Sequence, residues 1–135
     1  MTAKTTNSLT THIEMKNNNF QISEPIPINF IVQNSTENEI EFCFWQTPLE
    51  KELTANCFEI IHEGEVLDYN GKMVKRKPPT KEDYLLLKPN QTANKKININ
   101  NLYNITRKGT YSIRFLGRTI NGLPNSEPVY FTVNN

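Results

Sequence analysis

Apolar residues recur at every second position in short segments along most of this sequence, and that period of two constrains the fold more than any other feature. Side chains alternate between the two faces of an extended strand, so each such segment has one face to bury and one to wet. Leu9, Thr11, Ile13 and Met15 form the first set, Ile26, Ile28, Phe30 and Val32 the second, and Ile40, Phe42 and Phe44 the third. Phe58 and Ile60 follow, then a short strand from Glu65 to Tyr69, the block Tyr84 to Leu87, and Ile97 and Ile99 among asparagines. Tyr111, Ile113 and Phe115 precede a closing strand with Val129, Phe131 and Val133. Asn34-Ser35, Glu63-Gly64 and Pro89-Asn90 supply turn chemistry between the segments. Asn70-Gly71 is the strongest two-residue hairpin signal, so Val66-Leu67 is expected to pair back on Met73-Val74.

Strands spaced about 8 to 15 residues apart, with no helical period longer than a turn, predict an all-β fold. The expected architecture is one antiparallel immunoglobulin-like β-sandwich of about 7–9 strands over residues 9–135, behind a flexible tail at residues 1–8. A chain of 135 residues leaves no room for a second domain. In Gly109-Thr110-Tyr111, a tyrosine enters a late strand just after a glycine turn, where sandwich domains place a hydroxyl that pins a corner to backbone; a plain aromatic core residue is the alternative.

Fifteen basic residues against 14 acidic give a net charge of +1, which offers no general attraction to nucleic acid or an anionic membrane. The longest apolar run, Tyr84-Leu85-Leu86-Leu87, is far short of the roughly 20 residues needed to span a bilayer, so a soluble chain without membrane insertion is expected. Residues 1–8 lack the apolar centre of a secretory signal. The expectation is a cytoplasmic protein, or a secreted one whose signal has been removed. Cys43 and Cys57 leave two readings open: a pair of half-buried thiols, or one disulfide between neighbouring strands of an exported protein. Strand parity puts Cys43 with Glu41 and Cys57 with Glu59, so both thiols are expected to face outward.

Catalytic chemistry finds little to stand on. His12 and His62 do not form HExxH, in which two imidazoles on one helix face hold zinc beside a glutamate base; His12 reads as solvated and His62 as part of a turn. Neither cysteine has a histidine near it in the pattern that activates a nucleophile, and no GxSxG elbow or phosphate-cradling glycine loop is present. Asp68 and Glu82-Asp83 read as charged loops. No catalytic residue, metal site or cofactor is expected.

Charge patterning is more telling. Glu50, Glu52, Glu59, Glu63, Glu65 and Asp68 precede a block of Lys72, Lys75, Arg76, Lys77 and Lys81 that contains no acid before Glu82. Adjoining blocks of opposite sign read as a solvated hairpin with internal ion pairs, or as a docking surface, because Lys75-Arg76-Lys77-Pro78-Pro79 is stiff and extended. Trp45, the single tryptophan, ends a strand ahead of Gln46-Thr47-Pro48, where its ring either caps the core or is offered to a ligand. With Tyr69 and Tyr84 it could supply stacking rings for a sugar.

The order of Asn34-Ser35, Trp45-Gln46-Thr47-Pro48-Leu49-Glu50, Val66-Leu67-Asp68-Tyr69-Asn70-Gly71, Lys75-Arg76, Asp83-Tyr84-Leu85, Leu87-Lys88-Pro89-Asn90, Leu102-Tyr103-Asn104-Ile105 and Gly109-Thr110-Tyr111 resembles a known domain. It is similar to the N-terminal β-sandwich that precedes the catalytic domain in deuterolysin-like and peptidyl-lysine zinc metalloendopeptidases, over about three-quarters of the chain. In that family the zinc-binding HExxH belongs to the following domain, so the resemblance implies no peptidase activity here. Pro89-Asn90 departs from the expected Pro-Gly, a change the turn survives because asparagine tolerates positive φ. A looser similarity links the chain to immunoglobulin-like intracellular proteinase inhibitors of bacilli, as fold-level analogy. Together these imply a non-catalytic protein-binding module, a peptidase-associated accessory domain or a peptidase inhibitor, with Trp45, Thr47, Pro48, Glu50, Tyr69, Lys75, Arg76, Lys77 and Tyr84 as candidate binding residues. The alternatives are a carbohydrate or cell-surface binding module and a structural subunit that completes an assembly through strand edges.

Overall fold

The alternation of apolar residues sets the buried face of most strands in the computed structural model, which describes residues 9–135. The tail expected at residues 1–8 lies outside the described residues. Among the described residues ten strands form in chain order: β1 (Leu9–Glu14), β2 (Asn19–Gln21), β3 (Pro27–Asn34), β4 (Ile40–Cys43), β5 (Phe58–His62), β6 (Glu65–Val66), β7 (Tyr84–Leu87), β8 (Thr92–Asn98), β9 (Gly109–Phe115) and β10 (Val129–Asn134). β1 buries Leu9, Thr11 and Ile13, β3 buries Ile28, Phe30 and Val32, and β9 buries Tyr111, Ile113 and Phe115, each on the expected parity.

Three sheets result. One runs β1-β3-β8, one β2-β10-β9-β5-β6, and β4 pairs with β7 alone. The pairings are antiparallel except at β2, which runs parallel to β10 with Thr132 opposite Asn19, so the larger sheet is mixed rather than purely antiparallel. β2 is too short to show a period of two. It covers the outer edge of β10 and sets Phe20 edge-on against Phe131, with ring centroids 6.1 Å apart. Phe30 of β3 meets Phe115 of β9 at 4.6 Å, and Phe58 of β5 packs edge-on against the same Phe115. Strands of the first two sheets thus bury a common core.

Corners are made by specific residues. The Tyr111 hydroxyl donates to the Arg107 carbonyl at 2.5 Å, so the tyrosine pins the turn before β9 as its position after Gly109 suggested. Asn90 adopts φ 65°, the left-handed conformation anticipated there. His62 lies at the end of β5 rather than in a turn, buried, stacked on Tyr111 at 4.3 Å and donating from Nε2 to the Lys108 carbonyl. His12 is exposed.

Two further expectations fail. Asn70-Gly71 does not close a hairpin: neither residue takes the positive φ that a type I′ turn needs, whereas Glu63 (φ 50°) and Gly64 (φ 79°) both do. The hairpin therefore forms one turn earlier, between β5 and β6, with His62 opposite Glu65. Leu67 N–H donating to Ile60 extends that ladder by one position, and beyond it the chain is held from elsewhere, with Asn70 N–H donating to Leu102 and Val74 N–H to Thr54. Gly71 has a different role, since a Cβ there would overlap the Tyr69 ring and displace it. The cysteines also differ. Both are free and buried, not outward-facing, and no disulfide joins them, because β4 pairs with β7 and not with β5. Phe42 and Cys43 are buried on opposite faces of β4, and the charges nearest Cys43 belong to Asp83, Glu50 and Arg76. Burial pushes both thiols above their ordinary range.

Candidate functional site

Beyond β4 the chain turns sharply, and one buried carboxylate, Glu50, organises the loop. Gln46 takes φ 60°. The Thr47 hydroxyl donates to the Phe44 carbonyl at 2.7 Å and accepts the Leu49 N–H at 3.0 Å. This turn brings Glu50 back beneath Gln46. Glu50, 5% exposed, accepts at Oε2 from the Gln46 N–H and from the Thr54 hydroxyl, both at 2.8 Å. Its Oε1 receives the guanidinium of Arg76. A carboxylate this buried needs such donors, because an unpaired charge away from water is strongly disfavoured.

Arg76 carries the arrangement upward. Its Cζ lies 4.3 Å from the centre of the Trp45 ring, so the guanidinium is held between an indole face and a carboxylate. The Trp45 carbonyl accepts from Asn121 Nδ2 at 3.0 Å, which ties the Trp45 main chain to the buried Asn121, whose Oδ1 in turn accepts the Leu123 N–H. Lys95 of β8 donates to the Glu50 carbonyl at 2.8 Å. A second ion pair, Lys72 Nζ to Glu52 at 2.6 Å, holds the Glu52 carboxyl below its usual range. The acidic and basic blocks do pair with each other, but across an irregular segment and not within a hairpin.

Between these parts lies a cleft of about 560 Å³. Trp45, Val74, Pro78, Pro79 and Ile120 supply its apolar surface; Lys75, Arg76 and Lys77 supply its cations. Of the residues singled out from sequence, the structure gathers Trp45, Lys75, Arg76 and Lys77 around this cleft, with Glu50 directly beneath. Thr47 and Pro48 are buried and shape the turn. Tyr69 stands apart, packed on Tyr103 at 5.6 Å with its hydroxyl donating to the Lys72 carbonyl. Tyr84 is exposed on β7 opposite Cys43 and does not line the cleft. Three aromatic rings expected as a stacking platform are thus not brought into one cleft. Sequence reasoning missed Val74, Ile120, Thr54 and Asn121, which belong to irregular segments with no period to mark them.

Chemically the cleft offers apolar contact, cations and hydrogen bonds. Among the described residues no group of three or more His, Cys, Asp or Glu side chains is placed to hold a metal ion. No helix among them is long and apolar enough to cross a membrane.

No family model matches the chain. Over 98 residues, 73% of its length, it is 31% identical to an extracellular protease of Aeromonas hydrophila. It carries a protease-related region. The match spans 28% of that protein's length.

Proposed function

We propose that this chain is a non-catalytic, protein-binding module of immunoglobulin-like sandwich architecture that acts on or alongside an extracellular peptidase, as an accessory domain or an inhibitor. The observation that carries the reading is the 98-residue similarity to a minor part of an extracellular protease, coupled with the N-terminal domain of zinc metalloendopeptidases that the motif order resembles. A module similar to part of a protease, without an HExxH zinc motif in its sequence, is suited to holding a peptidase and not to cutting peptide bonds. The Trp45–Arg76 cleft is the contact surface, because it combines apolar area with charge at one exposed place. The extracellular setting of the relative is compatible with a secreted site of action.

The test is size-exclusion and inhibition analysis of the purified chain with a purified deuterolysin-like zinc metallopeptidase. A one-to-one complex supports the reading, and slowed peptide hydrolysis selects the inhibitor form. Lack of any complex at micromolar concentrations of both proteins overturns it.

A further inference from the structure

Resting on that reading, we propose that the Trp45–Arg76 cleft takes an extended acidic segment of the partner protein, seating an apolar side chain against Trp45 and Ile120 with its carboxylates beside Lys75 and Lys77. Charge within the cleft is lopsided. Arg76 is already neutralised by Glu50, which lies below it and is shielded from the cleft. Lys75 and Lys77 form no ion pair among the described residues, and no carboxylate lines the cleft beside them. Two uncompensated ammonium groups on a protein whose net charge is only +1 make a local field that a carboxylate-bearing partner would neutralise.

The main chain points to an extended ligand. Lys77 and Pro78 each precede a proline, which confines both to extended conformations. The N–H and C=O groups of Lys75, Arg76 and Lys77 make no hydrogen bond within the described residues, although Val74 N–H is committed to Thr54. An extended stretch with unpaired main-chain groups, flanked by apolar surface, is the geometry to which a second extended segment adds. Val74 is 44% and Ile120 51% exposed, so apolar contact is available to an occupant. Fixing Arg76 between Trp45 and Glu50 prepares the floor of the cleft in advance, which lowers the ordering cost of binding.

Trp45 is the sole tryptophan and reports directly on the cleft. The full chain is titrated with a ten-residue peptide alternating glutamate and leucine, with the same peptide carrying glutamine for glutamate, and with the acidic peptide against the double variant Lys75→Glu, Lys77→Glu. The acidic peptide is expected to shift Trp45 emission and to bind about tenfold more tightly than the glutamine peptide, with that advantage lost in the double variant and reduced at 1 M salt. Equal binding of both peptides, no binding of either, or an acidic peptide indifferent to the double variant overturns the proposal. Both lysines are exposed and unpaired, so the variant folds, which its unchanged thermal transition checks. The peptidase complex separates this proposal from the reading on which it rests. A peptidase held equally by wild type and double variant keeps the module and removes the cleft; acidic peptide bound without any peptidase complex does the reverse.

Discussion

Glu50 shows how one side chain joins a loop, a distant segment and an aromatic face. Replacing it with alanine removes the acceptor for Gln46 N–H, the Thr54 hydroxyl and Arg76 together, and should destabilise the chain by about 3 kcal/mol in urea unfolding. Arg76→Ala should cost about 2 kcal/mol, because Glu50 keeps two donors, and the double variant should cost less than the sum, as contacting residues do. Additive losses would show that the pair is not coupled. Cys57 sets a different limit. Burial raises its pKa above the ordinary 9.0, so the thiol stays protonated in the folded chain while the unfolded one ionises above that value. Stability from this group is therefore complete below pH 9 and lost as pH rises beyond it, at up to about 1.4 kcal/mol per pH unit. Tyr103, raised by burial from its ordinary 10.0, adds to the loss at higher pH. Cys57→Ala should flatten the decline in melting temperature between about pH 9 and 10. An unchanged decline would remove the thiol as its source.

At the scale of elements, the β5–β6 turn tests why the expected hairpin moved. Glu63 is strained at φ 50°, a conformation that asparagine tolerates better, so Glu63→Asn should stabilise by about 0.5 kcal/mol in thermal unfolding. Gly64→Ala meets no neighbour and should cost about 1 kcal/mol, for conformation alone. Gly109→Ala should cost clearly more, because its Cβ would come within 2.7 Å of His62 Nε2 as well as demanding φ 132°. Similar costs at both glycines would mean that His62 yields freely. The same elements mark how much was legible in advance. Strands with a sustained alternation, such as β1 with Leu9, Thr11 and Ile13, and β3 and β9 with three apolar residues each, show their buried faces in the sequence, because burial on one side enforces parity. β2 was not, since one phenylalanine carries no period. Asn70-Gly71 misled because turn propensity is local, whereas Tyr69 and Asn70 are held by Tyr103 and Leu102, more than thirty positions away. At the site, Trp45, Lys75, Arg76 and Lys77 stood out by composition, but the burial of Glu50 and the separation of Tyr69 and Tyr84 depend on tertiary packing alone.

The whole molecule turns on whether its sheets stand or fall together. Phe115 touches Phe30 of one sheet and Phe58 of the other, so its side chain is a joint between them. Phe115→Ala should cost about 3–5 kcal/mol, a large share of the roughly 5–15 kcal/mol that stabilises a domain of this size. If residues 9–135 make one cooperative unit, two probes in different places must report the same transition. Trp45 emission follows the cleft after β4, and far-ultraviolet circular dichroism follows strands throughout. Their urea midpoints should coincide in the wild type and fall together in Phe115→Ala with an unchanged slope. A tryptophan transition that precedes the loss of strand signal would show that β4, β7 and the cleft form a separately melting layer. The cleft would then be a mobile attachment to the core and not a preformed surface, and its binding would carry an ordering cost that the Glu50–Arg76–Trp45 stack is arranged to avoid.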